Sequence, residues 1–423
     1  GSEMCIRDSY MNNKKETLSY IKGVLMGVIV TVTCFVVLVT VGLYTGRLDL
    51  NSAIKTGSSQ VTDEQAEKIK DKVNLLSAYI DKYYLNNIDY EKMADSIYKG
   101  ILNGLDDKYA AYYTKDEYKD ISEKSSGVFC GIGAYMSQNS KTGVLTIIGV
   151  VSGGPAEKAG VKKGDILVEV DGENIENKDI SYIVSKVKGK EGTSVEIALQ
   201  RKNAAQLLKM KIERKVIRDN TVSHKMLDNN IGYISVSGFE EVTEKQFIKA
   251  VDDLENKGEK GLIIDLRDNG GGLLNTAIGM LDRLLPKELV VYTKDKQGMA
   301  QEYYTKDKQE VNVPIVILVN GNSASASEVF SGALKDYGKA KLIGTKTFGK
   351  GIVQSSFELQ DKTAIKFTTS KYYTPKGNNI HGKGFEPDMK VEYTGKMTKL
   401  KETGIKVDNQ VEAALDYFEN VFR

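Results

Sequence analysis

The apolar positions of this chain change period several times, and each change marks an element. From Gly23 to Gly46 no side chain carries a charge. The 22 residues Gly23–Tyr44 would span about 33 Å as a helix, which matches a bilayer core. Lys14, Lys15 and Lys22 precede this run and the downstream flank has only Arg47. The positive-inside rule then places residues 1–20 in the cytoplasm and the bulk of the chain outside. A cleaved signal peptide would have a shorter apolar region ending in a small-residue site, and no A-x-A follows, so an uncleaved anchor is expected at 21–46. Residues 1–10 look foreign to the rest, with Met11 a plausible start, and are set aside. Residues 47–61 read as a linker.

Beyond the linker, Thr62–Lys82 has a helical stripe of Ile69, Val73, Leu76 and Ile80, and Tyr90–Leu102 reads as a second helix. These form a helical region, 62–119. Residues 120–214 are rich in short strands. Val144–Val151, Ile166–Val170 and Val195–Leu199 have strand patterns, with turns at Ser152–Pro155 and Lys163–Asp165. Short helices fit Ala156–Ala159 and Ile180–Val187, giving a small α+β module. From 215 to 395 the pattern changes again. Gly261–Leu266 and Val313–Val319 are continuous apolar runs, as in strands buried on both faces. Helical patterns alternate with them. The capping box Thr243-Glu-Lys-Gln246 opens a helix to about Asn256, and Leu273–Leu285 and Ala326–Lys335 follow. Repeated βα units predict an α/β core with a largely parallel sheet. A C-terminal segment, 396–423, ends in an amphipathic helix over about 409–422.

Composition narrows the function. The 423 residues include 59 basic and 57 acidic side chains, a net of +2. No clustered basic face marks a nucleic-acid partner. The cysteines are Cys5, Cys34 and Cys130; only Cys130 falls in the folded part, where it reads as a buried free thiol. No CxxC pair or His/Cys cluster suggests zinc, and no metal is expected. The two histidines, His224 and His381, leave little supply for a histidine-based hydrolase.

Two segments carry candidate chemistry. Asn320-Gly-Asn-Ser-Ala-Ser-Ala-Ser-Glu328 follows a buried strand and precedes a helix. A serine there meets unsatisfied N–H groups and the positive end of a helix dipole, which suit an oxyanion. The same string, Ser325-Ala-Ser-Glu328, is also a capping box, and by itself favours simple capping. Gly344-Thr-Lys-Thr-Phe-Gly-Lys-Gly351 approaches a phosphate-binding loop, but Gly351 stands where Ser or Thr would hold magnesium. A lysine among glycines, once desolvated, can accept a proton from a serine.

Taken together these motifs resemble the carboxyl-terminal processing, or tail-specific, proteases over about residues 62–423. The resemblance rests on Ser325-Ala-Ser-Glu328, on Gly349-Lys-Gly351 with Lys350 placed 25 residues after Ser325, and on Gln354. It implies an α/β core of ClpP/crotonase-like βα units with an inserted PDZ domain and flanking helices. By resemblance Ser325 is the nucleophile, Lys350 the general base and Gln354 its orienting partner. The run Asp265-Leu-Arg-Asp-Asn-Gly-Gly-Gly272 is similar to the family's Gly-rich loop, implying an oxyanion hole from the N–H groups of Gly271 and Ala326.

Gly131-Ile-Gly133, Gly154-Pro-Ala-Glu-Lys-Ala-Gly160 and Gly164–Gly172 look like a PDZ domain. The resemblance implies that Gly131, Ile132, Gly133 and Ala134 receive a peptide carboxylate while the peptide adds a strand. Where the family often has an arginine before Gly-x-x-Gly-Thr, this chain has Lys188, which keeps the charge but loses the bidentate fork. His381 receives no catalytic role.

The expected activity is an endopeptidase that takes exposed protein C-terminal tails, without metal or organic cofactor, outside the cytoplasmic membrane and held there by one helix. A homodimer is expected, and no nucleic-acid partner. The alternative is a catalytically silent PDZ scaffold. The strings Ser19-Tyr-Ile-Lys22 and Lys141-Thr-Gly143 mimic a penicillin-binding enzyme but lack the SDN string between them and read as chance.

Overall fold

The computed structural model describes residues 61–306 and 310–423, which divide after Tyr90 into two units. The anchor expected at 21–46, the segment before it and nearly all of the linker lie outside the described residues. No helix among the described residues is long and apolar enough to cross a membrane.

In the first unit, helix α1 (Asp63–Tyr83) starts at a capping box. Thr62 Oγ1 accepts from Gln65 N–H at 3.2 Å and Thr62 N–H donates to Gln65 Oε1 at 2.9 Å. α1 buries none of its residues, and Ile69, Leu76 and Ile80 of its expected stripe are exposed.

Next along the chain come α2 (Tyr90–Asn103), β1 (Ala111–Tyr113) and α3 (Lys115–Ser126). Helix α3 is not marked by periodicity, because Lys115–Ser126 is too polar to show an apolar stripe. Its legible signal is the capping box of Thr114 and Glu117, in which Thr114 N–H donates to the Glu117 carboxylate at 2.8 Å.

The next stretch runs β2 (Val128–Gly131), β3 (Ala134–Gln138), β4 (Leu145–Val150), α4 (Pro155–Lys158), β5 (Ile166–Val170), β6 (Glu173–Asn174), α5 (Ile180–Val187), β7 (Ser194–Gln200), β8 (Leu208–Glu213) and β9 (Lys215–Arg218). Antiparallel strands in the order β3-β4-β5-β7-β8 close over Ile132, Leu145, Ile147, Leu167, Ile183, Ile197 and Leu199, with β6 on β5. β2 and β9 pair beside them. Cys130, in β2, is a free thiol but only half-buried rather than buried.

The remaining core contains β10 (Val222–Met226), β11 (Ile231–Val236), α6 (Glu241–Glu255), β12 (Gly261–Asp265), α7 (Leu274–Asp282), β13 (Leu289–Asp295), β14 (Ala300–Tyr304), β15 (Ile315–Val319), α8 (Ala326–Asp336), β16 (Ala340–Gly344), β17 (Ile352–Glu358), β18 (Ala364–Tyr373) and β19 (Met389–Lys390). The chain closes with the hairpin β20 (Met397–Lys399) and β21 (Lys406–Asp408) and with α9 (Asn409–Val421). One sheet has the order β10-β11-β12-β15-β16-β19, parallel except for β10. Every residue of β12 and β15 is buried. Their alternate side chains serve two cores: Leu262, Ile264, Ile317 and Val319 face α6, α7 and α8, while Ile263, Val316 and Leu318 face α9. That is why both strands read as unbroken apolar runs.

A second, antiparallel sheet has the order β1-β18-β13-β14, with β17 also on β18. The sequence reading did not resolve it, since its strands are mixed in polarity and half-exposed. Helix α6 starts three residues before the expected capping box, with Glu240 rather than Thr243 as its N-cap. Thr243 lies inside the helix, and its hydroxyl caps the N–H of Glu240 at 3.1 Å.

Helix α8, which begins just after Ser325, is anchored by Phe330. That ring is fully buried, with centroids 6.1 Å from Phe239 and 5.9 Å from Phe247. Phe330→Ala is expected to lower stability by about 3–5 kcal/mol in urea unfolding, through the cavity it leaves.

Candidate active site

The parallel sheet delivers three loops to one place. After β12 comes the Gly-rich turn to Gly272, after β15 the loop to Ser325, and after β16 the loop to Lys350. Such crevices beyond the carboxyl ends of parallel strands are where α/β sheets expose chemistry. A cavity of about 180 Å³ is lined by Ser325, Ala326, Lys350 and Gln354, with Gly272, Leu273, Leu274, Val329, Ile352, Val353 and Tyr372. Ser325, and the pair Lys350 and Gln354 that follows it by 25 and 29 positions, thus meet in one pocket together with Ala326. Neither histidine lines it: His224 lies 3.4 Å from Asp253 at the surface, and His381 is exposed.

Ser325 holds φ 55° and ψ −114° immediately before α8. A positive φ in a residue with a Cβ costs on the order of 1–3 kcal/mol and persists only where surrounding bonds enforce it. The enforcing group is Glu328, whose side chain is fully buried. Its Oε2 accepts from the N–H of Ser325 at 3.0 Å and of Lys350 at 2.8 Å. Its Oε1 accepts from Thr347 Oγ1 at 2.6 Å and from Gly349 N–H at 2.8 Å. The capping glutamate of the sequence motif therefore joins the serine loop to the lysine loop. The same bonds occupy the N–H groups of Gly349 and Lys350, which a phosphate-binding loop would have offered to a nucleotide.

Lys350 is only partly exposed, and its Nζ lies 4.4 Å from the ring centroid of Tyr109. Burial pushes the amine below its ordinary value; the charges of Lys366 and Lys108 push the same way, and Asp107 opposes them. Asp107 is fixed by N–H groups of Thr368 at 2.8 Å and Tyr109 at 3.0 Å. Gln354 does not reach for the amine as expected: its Nε2 donates to Thr368 Oγ1 at 3.2 Å.

The oxyanion donors also differ in detail from the expectation. Gly271 sits against the serine loop, because a Cβ built on it would lie 2.9 Å from both Ala326 N and Ser325 Cβ. Its N–H, however, donates to Asn269 Oδ1 at 2.9 Å. Asn269 is itself fully buried, with Nδ2 on Val236 O at 2.9 Å. Among the described residues, no hydrogen bond engages the N–H of Ala326, in the first turn of α8, or that of Gly272. Both residues line the cavity.

A second recess, of about 460 Å³, lies between β3 and α5. Gly131, Ile132, Gly133 and Ala134 line it with Met136, Ile180 and Val184. The carbonyls of Ile132 and Gly133 accept from Ala156 N–H at 2.8 Å and Val151 N–H at 2.9 Å. At one end Lys188 Nζ bridges Asp120 at 3.1 Å and Glu123 at 2.9 Å, both on α3. Burial lowers the Lys188 pKa, but its bonds to Glu123 and Asp120 outweigh that and hold the ammonium above its ordinary value.

Comparisons with known proteins agree with this architecture. The model of peptidase family S41 matches residues 230–391, and that of a PDZ domain matches residues 146–201. Carboxy-terminal processing protease CtpA of Bacillus subtilis (strain 168) is 35% identical over 379 residues, covering 86% of this chain and 81% of that protein. CtpB of the same strain is 32% identical, covering 87% and 78%. A probable CtpA-like serine protease of Staphylococcus haemolyticus (strain JCSC1435) is 35% identical over 87% of this chain and 71% of its own length. Among solved structures, a photosystem II D1 C-terminal processing protease aligns at a TM-score of 0.45 with 27% identity, over 76% of this chain and 86% of that one. The chain belongs to the carboxy-terminal processing proteases of peptidase family S41, and it is a serine-type peptidase with a PDZ domain.

Glu328→Gln replaces one of two oxygens that accept four hydrogen bonds by a donor, leaving buried N–H groups unpaired. An expected loss of about 2–4 kcal/mol in denaturant unfolding, with Ser325 and Lys350 misplaced, checks this.

Proposed function

We propose that this chain is an endopeptidase that captures extended C-terminal tails in its PDZ groove and cleaves them with Ser325 as nucleophile and Lys350 as general base. The observation that carries the reading is the shared cavity, in which a desolvated amine, a strained serine and two unengaged N–H groups come together.

In this reading the neutral Lys350 amine takes the Ser325 hydroxyl proton as the oxygen attacks the scissile carbonyl. The developing oxyanion is held by the N–H of Ala326 and by the Gly-rich loop. Within that loop the N–H of Gly272 is unengaged, whereas Gly271 has to exchange its bond to Asn269 before it can donate. The lysine ammonium then protonates the leaving amine, and water repeats the sequence to release the acyl group. Leu273, Leu274, Val329, Ile352 and Val353 line the cavity, which favours a small aliphatic side chain beside the cut. Gln354 lines the same cavity with its amide on Thr368.

For the groove, Ile132, Met136, Ile180 and Val184 favour an apolar final residue, and the N–H groups of the 131–134 loop suit its carboxylate. Lys188, tied to α3, links that groove to the helical region. An extracytoplasmic location on a single anchor is the reading of residues 21–46, and the unpacked stripe of α1 is the surface a homodimer would use.

Three outcomes test this. Lys350→Ala is expected to lower peptide cleavage by about 10²–10⁴-fold with an unchanged melting curve; full activity rejects the pair. The Lys350 pKa lies below its ordinary 10.5 and the neutral amine is the active form. The rate should therefore rise with pH through a group titrating below that value, and a limb near 6.5, the unperturbed histidine value, would point elsewhere. Finally, peptides with Ala or Val before the scissile bond should be cut at least about tenfold faster than those with Asp or Lys, measured as kcat/KM.

A further inference from the structure

Tyr372, on β18, is almost completely buried, at 2% exposure, yet its hydroxyl reaches the catalytic loops. Its single O–H proton is shared between two backbone carbonyls, that of Lys350, which is the nearer, and that of Ser325 at 3.2 Å. Burial, reinforced by the negative charge of Glu328, raises the phenol well above its ordinary value, so the hydroxyl keeps its proton and remains a donor. Glu328 joins the same two residues through their N–H groups. The two side chains act on opposite backbone polarities of one pair, and they come from different elements, α8 and β18.

We propose that Tyr372 is a positioning residue for cleavage: its hydroxyl sets the separation of the Ser325 and Lys350 backbones and thereby the approach of the amine to the serine oxygen. The inference rests on Ser325 and Lys350 being the acting pair. Glu328 alone leaves each backbone a pivot at its N–H. A second tie at the carbonyls removes that pivot. The lysine side chain then starts from a fixed Cα and reaches the seat beside Tyr109, where Lys366, Lys108 and Asp107 also face it.

The test is Tyr372→Phe, which keeps the ring and removes only the donor. We expect kcat to fall about 10- to 100-fold, the scale of a catalytic misplacement near 1 Å. KM should stay within about twofold of wild type and the melting temperature within a few degrees. The rising limb of the pH profile should move to higher pH, since an amine leaving its desolvated seat regains its ordinary affinity for protons. Replacing Tyr372 by 4-aminophenylalanine, which restores a donor at the same point, should recover most of the lost kcat. Tyr373→Phe is the control, because that ring stacks on Tyr292 at 5.0 Å and its hydroxyl has no role in the proposal. A kcat within twofold of wild type in Tyr372→Phe, an unshifted limb, an unfolded variant or a failed rescue each overturns the proposal. Ser325→Ala and Lys350→Ala are assayed alongside. If either cleaves at the wild-type rate, the acting pair itself is rejected. If both are silent while Tyr372→Phe is fully active, only the role of Tyr372 falls.

Discussion

The geometry of this protein turns on a single buried carboxylate. Glu328 has no access to solvent, and its two oxygens accept from four donors supplied by residues 325, 347, 349 and 350. A carboxyl group taken out of water is tolerable only when its oxygens are this fully paired. The pairing requires two loops from neighbouring parallel strands to arrive together. Each loop on its own would be a Gly- and Ser-rich connection with many accessible conformations. Bound to the same carboxylate, each fixes the other, and the unfavourable φ of Ser325 is held by bonds that an ordinary helix start would not supply.

Lys350 is placed differently from Ser325. Lys350 belongs to the core, but the groups that tune its amine come from well outside its own loop. Tyr109, Asp107 and Lys108 lie between α2 and β1, and Lys366 lies on β18. The antiparallel sheet accounts for this, because β1 pairs with β18 in register from Ala111–Lys366 to Tyr113–Ala364. Burial is the main cause that lowers the Lys350 pKa, and the charged groups that add to it or oppose it stand outside the Gly-Lys-Gly string.

This division explains what could be read from the chain. The parallel strands were legible because burial on both faces leaves an unbroken apolar signature, and Ser325, Lys350 and Gln354 were legible because their motif is local and rigidly spaced. The antiparallel sheet and α3 were not, since their stability comes from caps and from partners far along the chain. Tyr109, Tyr372 and Thr347 carry no motif of their own, and only folding brings them to the cavity. Glu328 was visible as a capping residue, but capping accounts for just one of its four bonds. Gly271 lies against the serine loop, while the engagement of its N–H by Asn269 depends on a side-chain rotamer that no spacing encodes. Gln354 likewise reaches the cavity but spends its amide on Thr368.

The strand order also has a temporal side. The donors that complete the Glu328 cluster are synthesised after it, and the tyrosine that closes over the carbonyls follows later still, at position 372. The cluster around Glu328 can therefore close only after residue 350 has been made. The full set of ties between positions 325 and 350 can exist only once position 372 has been added, so this part of the molecule is among the last that the growing chain can complete.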